Sequence, residues 1–245
     1  MRALRAGARL VGALAWALRG WVTITLRFPR LDGPQREAEV QAWARRMLQV
    51  LGIELQIRGT PPAHGPLMLV ANHISWLDIL VMHAARHCRF VAKSEVRHWP
   101  LIGTLATGGG TLYVERESRR DAMRVVHRMA DCLRAGDILA VFPEGTTSDG
   151  ISLLPFHANL IQAAISAGAP VLPVALSFVD PSTGRPSVTA SYIGDDTLVG
   201  SLWRTVAGPP ITAVVTYGEP QRALGRDRRS WARELRDAVE ALRQP

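Results

Sequence analysis

The chain has 245 residues, nearly half of them hydrophobic and a fifth charged, which is enough for one large core or two small ones and excludes a disordered or fibrous chain. The net charge of +8 is carried almost wholly by arginine, with Lys93 the lone lysine. A basic balance of this kind suits an anionic membrane face, a phosphorylated substrate or nucleic acid, and the absence of any helix-turn-helix, zinc-finger or RNA-binding signature sets nucleic acid aside.

The first segment carries Arg2, Arg5 and Arg9 ahead of an apolar run from Leu10 to Leu18; Arg19 interrupts it and apolar residues resume to Leu26. A spanning helix needs about 20 apolar residues, and an arginine near its centre costs about 2.5–3.5 kcal/mol. A cleaved signal, a short anchor, a core-packed helix and an interfacial helix with Trp16 and Trp21 at the acyl boundary all fit this pattern. The arginine bias favours attachment with the basic end on the cytoplasmic side. Residues 1–28 therefore read as a membrane-associating segment and 29–245 as one catalytic domain with no internal linker.

Helical spacing runs from Arg36 to Leu51 and stops at Gly52; "IELQIRG" alternates as a strand. "LMLVA" is a short buried strand, Leu77–Ala85 a helix, and "RFVAKSE" and "TLYVER" two further strands. A patterned helix over Arg119–Ala135 precedes the strand in "DILAVFPEG"; a helix over His157–Ala167 precedes the strand in "PVLPVALSF". "SVTASYIG" and "ITAVVTYGE" complete the predicted strands, and Asp227–Arg243 closes the chain as an amphipathic helix. Alternating strands and helices predict an α/β fold with a largely parallel central sheet flanked by helices. The two cysteines, Cys88 and Cys132, form no C-x-x-C pair and suit a reducing compartment.

Chemistry concentrates where these strands end, which is where open α/β sheets bind their ligands. In "ANHISWLDIL", His73 precedes Asp78 by five residues. Two readings stand. Ser75 and Asp78 can simply cap a helix, worth about 1 kcal/mol, with His73 an ordinary loop histidine. Alternatively, Asp78 meets His73 across a bent junction and orients the imidazole, whose other nitrogen takes a proton from a substrate hydroxyl. Ser75 as a nucleophile would lack the G-x-S-x-G elbow. In "VFPEGTTSDG", Glu144, Gly145, Thr146, Thr147 and Ser148 crowd one loop with hydroxyls and backbone N–H groups, suited to an anion or polar headgroup. Arg116 follows a third strand, where it could grip a phosphate bidentately, and Lys93 ends a fourth. His83 and His87 lie four apart on a predicted helix, but no further ligand pair accompanies them, so no metal is expected.

These stretches together resemble the glycerolipid acyltransferase family typified by bacterial 1-acyl-glycerol-3-phosphate acyltransferases. The blocks are Asn72-His73 with Asp78, Gly110 to Arg116, Phe142 to Ser148 and Leu172 to Ala175, in that order, with Ala92–Gly103 also similar. The resemblance implies His73 as general base and Asp78 as its partner. It places Arg116, Glu144 and Gly145 at the acceptor, with Thr146 and Ser148 nearby; Lys93 and Thr147, at the same strand ends, complete the candidate substrate-binding residues. It implies a fatty acyl thioester on coenzyme A or acyl carrier protein as co-substrate with no further cofactor, a membrane lipid as partner, and work at the cytoplasmic face of the inner membrane. The implied reaction acylates 1-acyl-sn-glycerol-3-phosphate to phosphatidic acid. Two departures matter: Thr147 stands where many members have arginine, and "PFHAN" stands where many have a lysine and glycine. The E-G-T-T-S-D-G version also resembles acyltransferases of lyso-ornithine lipid, whose headgroup has no phosphate. A non-catalytic lipid-binding relative and a hydrolase using the same base on water complete the alternatives.

Overall fold

The computed structural model describes residues 2–114 and 119–243. Its strands are β1 (Glu54–Arg58), β2 (Leu67–Ala71), β3 (Arg89–Lys93), β4 (Leu112–Val114), β5 (Ile138–Val141), β6 (Val171–Val179) and β7 (Thr212–Tyr217). They form one seven-stranded sheet in the order β1-β7-β6-β2-β5-β3-β4. Every neighbouring pair is parallel except β6 with β7. The largely parallel sheet expected from the sequence is therefore present, with one antiparallel pairing inside it.

The helices are α1 (Arg2–Leu26), α2 (Gly33–Leu51), α3 (Leu77–Ala85), α4 (Ile102–Gly108), α5 (Arg119–Arg134), α6 (Ala158–Ala167), α7 (Leu198–Ala207) and α8 (Arg228–Leu242). They cover both faces of the sheet. Leu67, Leu69 and Ala71 of β2 pack with Leu48, Leu51, Leu77, Val81 and Met82 from α2 and α3. The alternate residues Met68 and Val70 pack with Met129, Leu133, Ile161, Trp231 and Leu235 from α5, α6 and α8. Burial on both sides is why the central strands read as unbroken apolar runs, and each large side chain fully buried this way contributes about 1.5–3 kcal/mol.

Local chemistry sets several boundaries. Asp32 and Gln35 form a capping box at the start of α2, and Gly52 ends it in the left-handed conformation. Asp227 accepts from the N–H groups of Arg229 and Ser230 to start α8. The stretch Ser187–Gly194, expected as a strand, is irregular. The returning chain meets β6 only at the Pro186–Val179 bridge and through the Ser187 N–H bond to the Phe178 carbonyl, and the Tyr192 N–H then goes to the Ile74 carbonyl instead of to a strand. Helices α4 and α7 carry internal Gly, Thr and Ser, and no long apolar period announces them.

The N-terminal segment is a single helix with two unlike faces. Ala6, Ala13 and Gly20, seven residues apart, are buried. Trp16 donates its indole N–H to the Trp43 carbonyl of α2 and Trp43 donates to the Trp16 carbonyl, each at 3.0 Å. A Cβ on Gly20 would meet the Trp43 indole nitrogen at 2.6 Å, so only glycine permits this approach. Leu4, Val11, Leu14, Leu18, Val22 and Leu26 are exposed, on the side of the helix opposite the small residues. Among the described residues no helix is long and apolar enough to cross a membrane.

Candidate active site

Strands β2, β5, β3 and β4 run parallel, so their carboxyl ends share one edge of the sheet. His73 follows β2 by two residues, the Glu144–Ser148 loop follows β5, and Lys93 is exposed at the end of β3. Arg116, together with Glu115, lies outside the described residues.

The bent junction between β2 and α3 brings His73 and Asp78 together. His73 Nδ1 lies 2.7 Å from Asp78 Oδ2. The same oxygen accepts the backbone N–H groups of Ile74 at 2.7 Å and Ser75 at 2.9 Å. A carboxylate only accepts, so Nδ1 carries the proton and Nε2 is left as the basic nitrogen. Asp78 is fully buried whereas the His73 side chain keeps 20% of its surface exposed, so the pair opens to a substrate through the imidazole alone. Ser75 Oγ accepts the Leu77 N–H at 3.3 Å, so capping and orientation of His73 coexist in one turn. Asp78 Oδ1 has no partner among the described residues.

The second loop grips the backbone of His73. Glu144 Oε1 accepts the His73 N–H at 2.7 Å, and Oε2 accepts the Leu154 N–H at 2.9 Å. Ser148 donates both its N–H, at 2.8 Å, and its hydroxyl, at 3.1 Å, to the His73 carbonyl. The Phe142 ring lies parallel to the imidazole, with centroids 4.0 Å apart and 8° between planes. Asn72 acts like one more residue of sheet: its amide accepts from Leu176 N–H at 2.7 Å and donates to Leu176 C=O at 2.9 Å. His73 is thus fixed at its N–H, its carbonyl, its ring face and Nδ1.

The family model described as Acyltransferase matches residues 52–177, which run from β1 into β6 and include His73, Asp78 and the Glu144–Ser148 loop. The chain belongs to the acyltransferase family.

This acyltransferase is 39% identical over 242 residues to the lyso-ornithine lipid O-acyltransferase of Pseudomonas aeruginosa, covering 98% of this chain and 92% of that one. It is also 39% identical over 183 residues to the 1-acyl-sn-glycerol-3-phosphate acyltransferase of Neisseria gonorrhoeae, covering 74% and 71% of the two. The crystal structure of the 1-acyl-sn-glycerophosphate (LPA) acyltransferase of Thermotoga maritima superposes with a TM-score of 0.70 at 22% identity, over 100% of this chain and 99% of that one. That likeness establishes a shared fold.

Within the acyltransferase site, burial pushes the Glu144 carboxyl above the usual carboxylate range, against the pull of the two N–H groups it accepts. Both of its oxygens are committed to the backbone, so Glu144 shapes the site by holding His73 in place. Thr147 donates its hydroxyl to the Tyr192 carbonyl, while Thr146 and Gly145 face solvent. Gly145 has φ +73°, and a Cβ there would meet the His157 ring at 3.0 Å, so the loop requires glycine. His83 and His87 stack at 5.2 Å, buried between α3 and the end of α4. Burial pushes His83 down to about 3. Among the described residues no group of three or more His, Cys, Asp or Glu is placed to hold a metal. Two features were illegible in the sequence: the stacking of Phe142, which reads only as a strand end, and the Asn72–Leu176 pairing, 104 residues apart.

Proposed function

We propose that this acyltransferase moves a fatty acyl chain from a thioester, on coenzyme A or acyl carrier protein, to the free hydroxyl of a lysolipid. The observation that carries the reading is the 2.7 Å contact of His73 Nδ1 with the wholly buried Asp78. His73 Nε2 takes the hydroxyl proton as the alcohol oxygen attacks the thioester carbonyl. The tetrahedral intermediate collapses to ester and thiolate, and the thiolate recovers the proton from the imidazolium. A base so placed contributes about 10²–10⁴-fold. The thioester is already activated, so these side chains suffice in this scheme, with neither a metal nor a further cofactor.

The acceptor we favour is lyso-ornithine lipid, with 1-acyl-sn-glycerol-3-phosphate second. The relative named for lyso-ornithine lipid aligns along 98% of the chain. Thr147, at the position where a cation would meet a phosphate, is neutral and bonded to Tyr192. Residues 29–245 would form the catalytic domain, and Lys93 and Arg116 would approach the headgroup from neighbouring strand ends. The exposed stripe of α1 would lie in the acyl boundary of the cytoplasmic leaflet with its arginines among the headgroups. Incubation of the protein with labelled acyl thioester and each lysolipid in turn tests the whole reading. Acylated ornithine lipid is the expected product, and turnover that survives His73→Ala would reject the mechanism.

A further inference from the structure

The imidazole of His73 is one end of a column of rings that the reaction scheme leaves unused. Phe142 lies flat against it at 4.0 Å and 8°, and Phe142 stacks with Phe90 at 5.8 Å and 15°. His83 meets Phe90 edge-on, with centroids 5.0 Å apart and planes at 80°. Packed in this way, Phe142 cannot turn its face from the imidazole without disturbing the rings behind it. We propose that Phe142 is a positioning residue for catalysis, whose π face stabilises the positive charge that His73 gains as it takes the acceptor's proton.

The chemistry follows from the quadrupole of a benzene ring, negative on its face and attractive to a cation within about 6 Å of its centroid. A neutral imidazole stacked there gains mainly packing. An imidazolium gains an electrostatic attraction as well, so the contact strengthens on the way to the transition state, and only such differential stabilisation raises kcat. Asp78 holds the edge of the imidazole through Nδ1 and Phe142 holds its face, so together they leave Nε2 open. The far end of the column adds no competing charge near neutral pH, because burial holds His83 in its neutral form.

This inference rests on His73 acting as the base. The decisive experiment replaces Phe142 by mono-, di- and trifluorinated phenylalanine, which keeps the ring's shape while draining its negative face. Expected is a stepwise fall in kcat totalling about 3- to 30-fold, with KM unchanged within about two-fold and the melting temperature unmoved. Phe142→Leu gives a coarser form of the same test, with a similar loss of kcat, and Phe142→Tyr keeps the rate. A kcat indifferent to fluorination, in a protein that His73→Ala inactivates, overturns the role of Phe142 and leaves the base intact. An active His73→Ala variant overturns both.

Discussion

Replacing Asp78 by asparagine keeps the side chain's shape and removes its charge. In the wild-type chain one oxygen receives His73 Nδ1, Ile74 N–H and Ser75 N–H, all within 2.9 Å. An amide oxygen can still accept from the two backbone groups, so the loop is expected to hold. What disappears is the carboxylate facing the imidazolium of the transition state. Two unit charges about 4 Å apart at an effective dielectric near 20 attract by roughly 4 kcal/mol. That corresponds to about a thousand-fold in rate. The assay is initial-rate transfer of a labelled acyl chain to lysolipid at saturating donor, with far-ultraviolet circular dichroism and thermal melting showing that the variant folds. The expected result is kcat down by about 10³ in a protein that melts within a few degrees of wild type. A folded Asp78→Asn protein that keeps more than about a tenth of kcat would refute the argument that this carboxylate powers the base.

Glu144→Ala leaves the partly buried His73 and Leu154 N–H groups without their acceptor, at about 1 kcal/mol each. At roughly 2–4 °C per kcal/mol for a chain of this size, melting should fall by several degrees and activity with it; an unchanged melt would show that these contacts are not formed. His83 titrates near 6.5 when unfolded and about 3 when folded, so between those values the unfolded chain binds more protons and stability rises with pH. Lowering the pH from about 7.5 to about 5 should therefore cost about 2 kcal/mol through His83. His87, also pushed down by burial, adds in the same sense. Melting curves across that range should be visibly flatter for His83→Phe, and an identical slope in the variant would contradict the assignment. On α1, Leu14 and Leu18 are 58% and 49% exposed. Leu14→Ser with Leu18→Ser should weaken binding to anionic vesicles by about 30-fold, from roughly 2 kcal/mol of lost apolar burial, in a sedimentation assay. Undiminished binding would mean that α1 does not face the lipid.

The local order of this protein was written in short windows of its sequence. Leu77–Ala85 is α3 to the residue, Gly52 and Gly168 stop α2 and α6, and the apolar runs are the strands. These features depend on side-chain period, on glycine's left-handed freedom and on caps, all of which act between near neighbours. The site residues could also be named, because polar groups gather where the strands end. Their partners could not. On a straight helix, side chains five residues apart diverge, and only the bend before α3 lets Asp78 reach back to His73. Glu144 read as a group for the acceptor; its distance of 71 residues from His73 concealed that both its oxygens serve the backbone. Ser187–Gly194 alternates like a strand, yet the chain touches β6 only at Pro186 and Ser187 before the Tyr192 N–H turns to the Ile74 carbonyl. Tertiary structure decided these points because a hydrogen bond or a strand edge is settled by whichever distant segment arrives beside it. Once water is gone from that place, a polar group must accept the partner it finds there.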